Sequence, residues 1–187
     1  MRIVGGAQKG LTLASVGKGD PAAHLRPTSD RVRESLFNIL MGGAFEDVIT
    51  GARVLDLFAG TGALGLEALS RGASEAVFVD NGQKSRALLR ENIDKTRQGG
   101  RARVFRRDAT RLGPSAQGAF NLVFIDPPYG KGMGERALAS ADTGGWIAPN
   151  ALIVWEENHA VAAPDGFTKA DQRQYGDTWI AFLRKTP

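Results

Sequence analysis

The tetrapeptide Asp126-Pro127-Pro128-Tyr129 places a carboxylate, two prolines and an aromatic ring side by side. Proline has a fixed φ and no backbone N–H. The cluster is therefore stiff and rich in acceptors: the Asp126 side chain and the carbonyls of Asp126 and Pro127, beside the flat ring of Tyr129. Such a set suits a planar group bearing an NH2, as on a nucleobase. It follows the apolar run Phe120-Asn121-Leu122-Val123-Phe124-Ile125, which reads as a buried strand. Ligands of parallel sheets bind at such strand ends. The purely structural alternative is a rigid turn.

A second constellation lies upstream. Gly60-Thr61-Gly62-Ala63-Leu64-Gly65 matches GxGxxG, after a strand and at the start of a helix. Glycines let a ligand approach the backbone closely. A dinucleotide would set its pyrophosphate on the helix N-terminus, whereas S-adenosylmethionine (SAM) would lay its methionine part along the loop. Asp80, about twenty residues past the glycines, is the acid that either ligand uses to hold ribose hydroxyls. Asp56 decides between them. It lies inside the first strand, four residues before Gly60, where a carboxylate can meet the ammonium group that SAM has and NAD lacks. Asp108, followed by Ala109, can accept from the adenine amine, although pairing with Arg106 or Arg107 is a close alternative. The GxxxxGK[ST] loop of nucleoside-triphosphate sites does not occur.

Alternating strands and helices must position these groups. Strands are expected at 53–58, 76–80, 103–106, 120–125 and 151–156, with helices at 63–71, 83–96 and 134–141. Ala87, Leu88, Glu91 and Ile93 are expected on the inner side of the 83–96 helix. Residues 168–173 and 178–183 form a closing hairpin around Tyr175-Gly176-Asp177. The pattern predicts an α/β fold of Rossmann type: seven mostly parallel strands, helices on both faces and an antiparallel terminal hairpin. A small N-terminal β-hairpin is expected from residues 2–4 and 11–14, followed by a loop over 15–27. A helix then starts near Thr28 or Ser29, with Val32, Leu36, Ile39 and Leu40 as its apolar stripe, and ends at Gly42-Gly43. The expected division is an extension over 1–27 and a main domain over 28–187.

Composition narrows the classes. The 187 residues are 42% hydrophobic and contain no cysteine, which excludes a disulfide scaffold, a thiolate metal site and a catalytic Cys. His24 and His159 are the only histidines, so no metal is expected. No apolar run is long enough to span a membrane, and the N-terminus lacks a signal-peptide core, so the expected compartment is the cytoplasm. Net charge is +4. Arg97, Arg101, Arg103, Arg106, Arg107 and Arg111 cluster around a single acid, Asp108, which slightly favours a phosphate-bearing partner over a merely solvated face. Lys9 and Lys18 are candidate contacts for such a partner. Trp146, Trp155 and Trp179 are expected to pack rather than to stack on bases.

In combination these motifs resemble the SAM-dependent amino-methyltransferases whose fourth strand ends in [DNS]-P-P-[YFW]. The run Arg26-Pro27-Thr28-Ser29-Asp30-Arg31-Val32-Arg33-Glu34-Ser35-Leu36-Phe37-Asn38, the stretch 55–73, the opening Met1-Arg2-Ile3-Val4-Gly5-Gly6 and Tyr175-Gly176-Asp177-Thr178 resemble the RsmD family. The resemblance implies methylation of the exocyclic N2 of a guanine in 16S ribosomal RNA, free or within the small subunit or an assembly intermediate, by a monomer. It implies catalytic roles for Asp126, Pro127, Pro128 and Tyr129. Cofactor contacts are expected from Asp56, Phe58, Ala59, Gly60, Thr61, Gly62, Asp80, Asn81, Asp108 and Ala109. Arg26, Thr28 and Arg31, with Lys9, are expected at the substrate entrance. The competing readings are a DNA adenine-N6 methyltransferase, a protein-glutamine methyltransferase, and a non-catalytic RNA-binding protein on a SAM fold. Against the DNA enzyme stands the short stretch from Tyr129 to Ile153, which leaves no room for a target-recognition domain.

Overall fold

A computed structural model describes residues 1–15 and 28–187. Short runs of apolar and β-branched residues form five parallel strands: β1 (Arg53–Leu57), β2 (Glu75–Val79), β3 (Ala102–Phe105), β4 (Phe120–Ile125) and β5 (Ile147–Glu157). A hairpin of β6 (Phe167–Tyr175) and β7 (Thr178–Lys185) inserts β7 antiparallel beside β5. The sheet order is β3-β2-β1-β4-β5-β7-β6. The helices are α1 (Asp30–Leu40), α2 (Ala63–Ser70), α3 (Gln83–Lys95) and α4 (Met133–Thr143).

The chain runs outward from β1 to β3 and then returns to β4 on the other side of β1. That reversal opens a crevice at the carboxyl ends of β1 and β4. Register aligns Leu57 with Ile125, so Phe58 and Asp126 emerge next to one another. The Asp126 amide donates to the Leu57 carbonyl across 3.5 Å. The glycine loop and the Asp-Pro-Pro-Tyr turn are neighbours because the topology reverses between their strands.

Apolar side chains fill both faces of the sheet. One cluster holds Leu36, Phe37, Leu66, Phe78 and Phe124; the other holds Leu55, Phe120, Val123, Trp146 and Trp155. Each large side chain buried in this way contributes about 1.5–3 kcal/mol. Phe37 anchors α1 on the sheet with its ring centroid 5.8 Å from that of Phe124. Trp146 stacks on Phe120 at 6.1 Å and donates its indole N–H to the Gly113 carbonyl at 2.8 Å. A Cβ on Gly134 would fall 2.4 Å from the Trp155 ring, so only glycine lets α4 sit this close to β5. Trp146 and Trp155 are buried and packed as expected; Trp179 is half-buried.

The expected N-terminal β-hairpin is not formed. One isolated antiparallel bridge, Arg2 opposite Thr12, closes the segment instead. The Ile3, Gly10 and Leu13 amides still bond across the segment, to the Leu11, Ile3 and Met1 carbonyls, but others turn to α2. Val4 N–H donates to Glu67 Oε2 at 2.8 Å, and the Ala7 and Gln8 amides donate to the Ser70 carbonyl and hydroxyl. A Cβ on Gly6 would lie 1.9 Å from the Ser70 carbonyl oxygen, so close docking on the helix replaces a free-standing hairpin. The inner side of α3 also differs from expectation. Arg86, Leu89, Asn92 and Ile93 are buried there, while Ala87 and Glu91 are exposed and Leu88 is half-buried. The expectation followed apolar residues, whereas two of the inward positions are polar and serve hydrogen bonds.

Charged groups lock α1 to α2. Arg33, fully buried, pairs with Asp30 at 2.8 Å, approaches Glu67 at 3.7 Å and donates to the Arg2 carbonyl. Arg71 pairs with the other oxygen of Glu67 at 2.7 Å. Buried charges cost several kcal/mol each unless they are paired. This cluster therefore holds the N-terminal segment, the start of α1 and the cofactor-loop helix as one body. Ser29 caps α1, its hydroxyl accepting from Val32 N–H at 3.2 Å. Among the described residues, no helix is long and apolar enough to cross a membrane.

Candidate active site

The glycine loop is shaped by left-handed backbone. Phe58, Gly60 and Gly62 have φ of 60°, 57° and 80°. For Phe58 this is a strained conformation of the kind found at ligand sites. Gly65 abuts Phe78 so closely that a Cβ would lie 2.4 Å from its ring. The Gly65 amide donates to Asp56 Oδ2 at 3.0 Å. Burial pushes the Asp56 carboxyl up to about 8, against the pull of that amide and with a small push from Asp80. A buried acid with one amide donor is suited to a cationic partner, and an ammonium group would complete it.

Asp80 stands at the mouth of the loop. Its Oδ2 accepts from Gly60 N–H at 2.9 Å and its Oδ1 from Gly82 N–H at 2.7 Å. Burial raises its carboxyl, while these amides and the Arg86 charge oppose the rise. Each oxygen keeps a further lone pair for a hydroxyl donor. Asn81 beside it is exposed, and Ala59 is buried under the loop with its amide on the Val79 carbonyl. Asp108 caps a short 3-10 turn, Ala109–Arg111, accepting from the Thr110 hydroxyl at 2.7 Å and its amide at 2.9 Å. The Thr110 hydroxyl is the main cause holding the Asp108 carboxyl below its usual range, with the Arg111 and Arg136 charges adding to it. No ion pair to Arg106 or Arg107 forms among the described residues.

Asp126 begins where β4 ends. Among the described residues its carboxylate has no hydrogen-bond partner. Burial, and then the charges of Glu156, Asp56 and Glu157, raise its proton affinity well above the ordinary range. Tyr129 is half-buried; its hydroxyl donates to Glu156 Oε1 at 2.8 Å and lies 3.5 Å from Thr178 Oγ1. Thr28 donates to the second oxygen of Glu156 at 2.8 Å. Burial first, then the Glu156 and Asp126 charges, push the Tyr129 phenol up. Pro127 is buried and Pro128 half-buried between these groups.

Thus Asp56, Phe58 to Gly62, Asp80 and Asp126 to Tyr129 converge on one crevice, and Thr28 joins it through Glu156. Arg31 is exposed and lines an open groove of about 450 Å³ with Ser35 and Arg173, a groove that Asp126 and Tyr129 do not reach. Lys9 is exposed on the N-terminal segment beside α2. Arg26, Lys18 and His24 lie outside the described residues. The arginine cluster divides. All six are exposed, but Arg101 donates to the Ala73 and Leu69 carbonyls, Arg103 to Gln117, and Arg107 to the Leu112 carbonyl, whereas the side chains of Arg97, Arg106 and Arg111 make no hydrogen bond among the described residues. Half of the cluster therefore braces the fold. His159 is exposed and contacts Asn158.

Three site residues were missed from the sequence. Glu156 and Glu157 close β5 after an apolar run, where an acid pair reads equally well as a solvated strand end. Asn92, fully buried on α3, donates to the Thr61 carbonyl at 2.9 Å and exchanges bonds with Ala14 N–H and C=O at 2.7 and 3.0 Å. It pins the glycine loop to the N-terminal segment, and a lone Asn inside a helix pattern gave no warning of this.

A seven-stranded sheet in this order, a glycine loop with acids in β1 and after β2, and an acidic Pro-Pro-Tyr turn after β4 are the marks of a Rossmann-type SAM-dependent methyltransferase. The family model described as "Conserved hypothetical protein 95" matches residues 1–184. YlbH of Bacillus subtilis is 34% identical over 99% of each chain. "Ribosomal RNA small subunit methyltransferase D" of Escherichia coli is 40% identical over 83% of this chain and 74% of its own. The solved structure of Escherichia coli yhhF superposes with a TM-score of 0.82 at 35% identity, covering 100% of this chain and 98% of that one. The chain belongs to this RsmD/YlbH family of SAM-dependent methyltransferases.

Proposed function

We propose that this protein methylates the exocyclic N2 amine of a guanine in 16S ribosomal RNA. The observation that carries the reading is the Asp126 carboxylate. It has no hydrogen-bond partner among the described residues, it stands at the end of β4, and the glycine loop emerges from the adjacent strand. The RNA substrate is supported by relatives named as small-subunit ribosomal RNA methyltransferases at 32–40% identity. In this reading Lys9, Thr28 and Arg31 contact the RNA, together with Arg26, which lies outside the described residues.

When bound, SAM supplies an electrophilic methyl group on a sulfonium. Asp56 pairs with its ammonium, residues 58–62 cradle its methionine part, Asp80 holds the ribose hydroxyls with Asn81 beside it, and Asp108-Ala109 receives the adenine. The guanine amine is a poor nucleophile because its lone pair is delocalised into the ring. Asp126 Oδ and the Pro127 carbonyl accept its hydrogens and orient that lone pair, while Tyr129 stacks on a base drawn out of its helix. Alignment supplies most of the catalysis. The raised proton affinity of Asp126 suits it to receive the proton that the amine releases. The prolines keep this geometry stiff.

The test is transfer of labelled methyl from SAM to small ribosomal subunits and to naked RNA from cells lacking the gene, followed by nucleoside analysis. Label in N2-methylguanosine is expected. Label only in N6-methyladenosine or in protein glutamine would reassign the substrate, and no transfer to any acceptor would leave a non-catalytic binder.

A further inference from the structure

β5 ends in two acids, Glu156 and Glu157, and both are buried. The reaction outlined above gives neither a task. Glu156 forms no ion pair with a basic side chain among the described residues; its two oxygens are taken by hydroxyls, Tyr129 on Oε1 and Thr28 on Oε2, each at 2.8 Å. A buried carboxylate without a cation is costly. Two neutral donors would be met more cheaply by water at the surface. What this arrangement achieves is geometric. It ties a residue of the Asp-Pro-Pro-Tyr turn to the residue preceding the cap of α1, 101 positions apart in sequence (Thr28 to Tyr129). Holding the hydroxyl of a tyrosine fixes the long axis of its ring, and the preference of a phenol O–H for the ring plane restrains its rotation; Tyr129 itself is half-buried.

We propose that Glu156 is a positioning residue for the substrate base: it locks the Tyr129 ring beside Asp126 and couples it to the start of α1. The proposal rests on the methyltransferase reading of the site. A base lying on a fixed ring meets Asp126 at a set distance, and a misplacement of about 1 Å can cost a hundredfold in rate. The task is one of shape rather than charge. Glutamine can perform it, accepting from Tyr129 with its amide oxygen and donating to the Thr28 hydroxyl with its NH2.

The experiment compares wild type, Glu156→Ala, Glu156→Gln, Tyr129→Phe and the Glu156→Ala/Tyr129→Phe double variant. Methyl transfer to small subunits and SAM affinity are measured on each. Glu156→Ala is expected to lower kcat by about tenfold to a hundredfold with SAM affinity within about threefold of wild type. Glu156→Gln is expected to recover activity to within about fivefold, and the double variant to be no slower than the slower single one. Should Glu156→Ala not fold, Thr28→Val and Tyr129→Phe remove the two bonds one at a time. A second readout needs no turnover. Tyr129 and Tyr175 are the only tyrosines, so fluorotyrosine labelling gives two fluorine NMR signals, and that of Tyr129 should move and sharpen in Glu156→Ala but not in Glu156→Gln. An unmoved signal, an unchanged kcat in Glu156→Ala, or a Glu156→Gln as inactive as Glu156→Ala overturns the proposal. If wild type methylates no RNA, the functional reading fails, and the fluorine signal still judges whether Glu156 holds the ring.

Discussion

On the β1–β2–β3 side of the crevice, every site acid is held by amides or a hydroxyl of the segments that flank it. Asp56 reaches the amide of Gly65, Asp80 those of Gly60 and Gly82, and Asp108 the hydroxyl and amide of Thr110. On the β4–β5 side the pattern reverses. The Asp126 carboxylate has no hydrogen-bond partner among the described residues, and the bonds around it run between distant segments, from Tyr129 to Glu156 and from Thr28 to Glu156. The first side is organised before any ligand arrives. The second ties its aromatic ring to Glu156 and gives its principal carboxylate no hydrogen bond among the described residues. A cofactor of fixed shape suits the former, and a base that must be drawn from an RNA suits the latter.

The largest perturbation severs what holds α1 to the cofactor-loop helix. Arg33→Met leaves Glu67 buried with Arg71 as its remaining cation, and should destabilise the fold by about 3 kcal/mol, the low end for a broken buried pair. Chemical denaturation measures this; a loss within error of zero would mean that the two sides stand independently. Next in size, Asp80→Ala removes acceptors from the Gly60 and Gly82 amides. It should weaken SAM binding by about tenfold to a hundredfold while kcat at saturating SAM stays close to wild type. A kcat loss as large as the affinity loss would blur the two sides into one.

A further effect is in pH dependence. The Asp56 carboxyl is pushed up to about 8 from an ordinary 3.8. The folded state then binds this proton more tightly than the unfolded state. The associated stability is present in full below the unfolded value and is lost as pH rises towards 8. Asp56→Asn keeps an acceptor for Gly65 but cannot ionise, so its melting temperature should gain on wild type between about pH 4 and 8. Saturating SAM should narrow that gap by supplying wild type with an ammonium. A gap that ignores pH would show that Asp56 titrates normally.

The same contrast explains what the sequence made legible. The strands around Asp56, Asp80 and Asp126 follow from apolar runs broken by glycine and proline, and β4 falls at the expected residues, Phe120–Ile125. The loop acids are readable because they stand within or just after strands, beside a glycine loop that marks the site. Glu156, Asn92 and Arg33 are not, since each acts on a group far away in sequence, and a polar residue inside a periodic pattern looks the same whether it faces water or a buried partner. The N-terminal segment misled for a related reason. Its alternation suggested a hairpin, but the Val4, Ala7 and Gln8 amides go to Glu67 and Ser70 of α2, and only a few cross-segment bonds remain.

The division of labour is tested most directly by single-turnover methyl transfer from pre-bound SAM to small ribosomal subunits by Asp126→Ala. The prediction is normal SAM loading and a rate at least about a hundredfold below wild type. Transfer at the wild-type rate, or loss of SAM binding together with transfer, would contradict it.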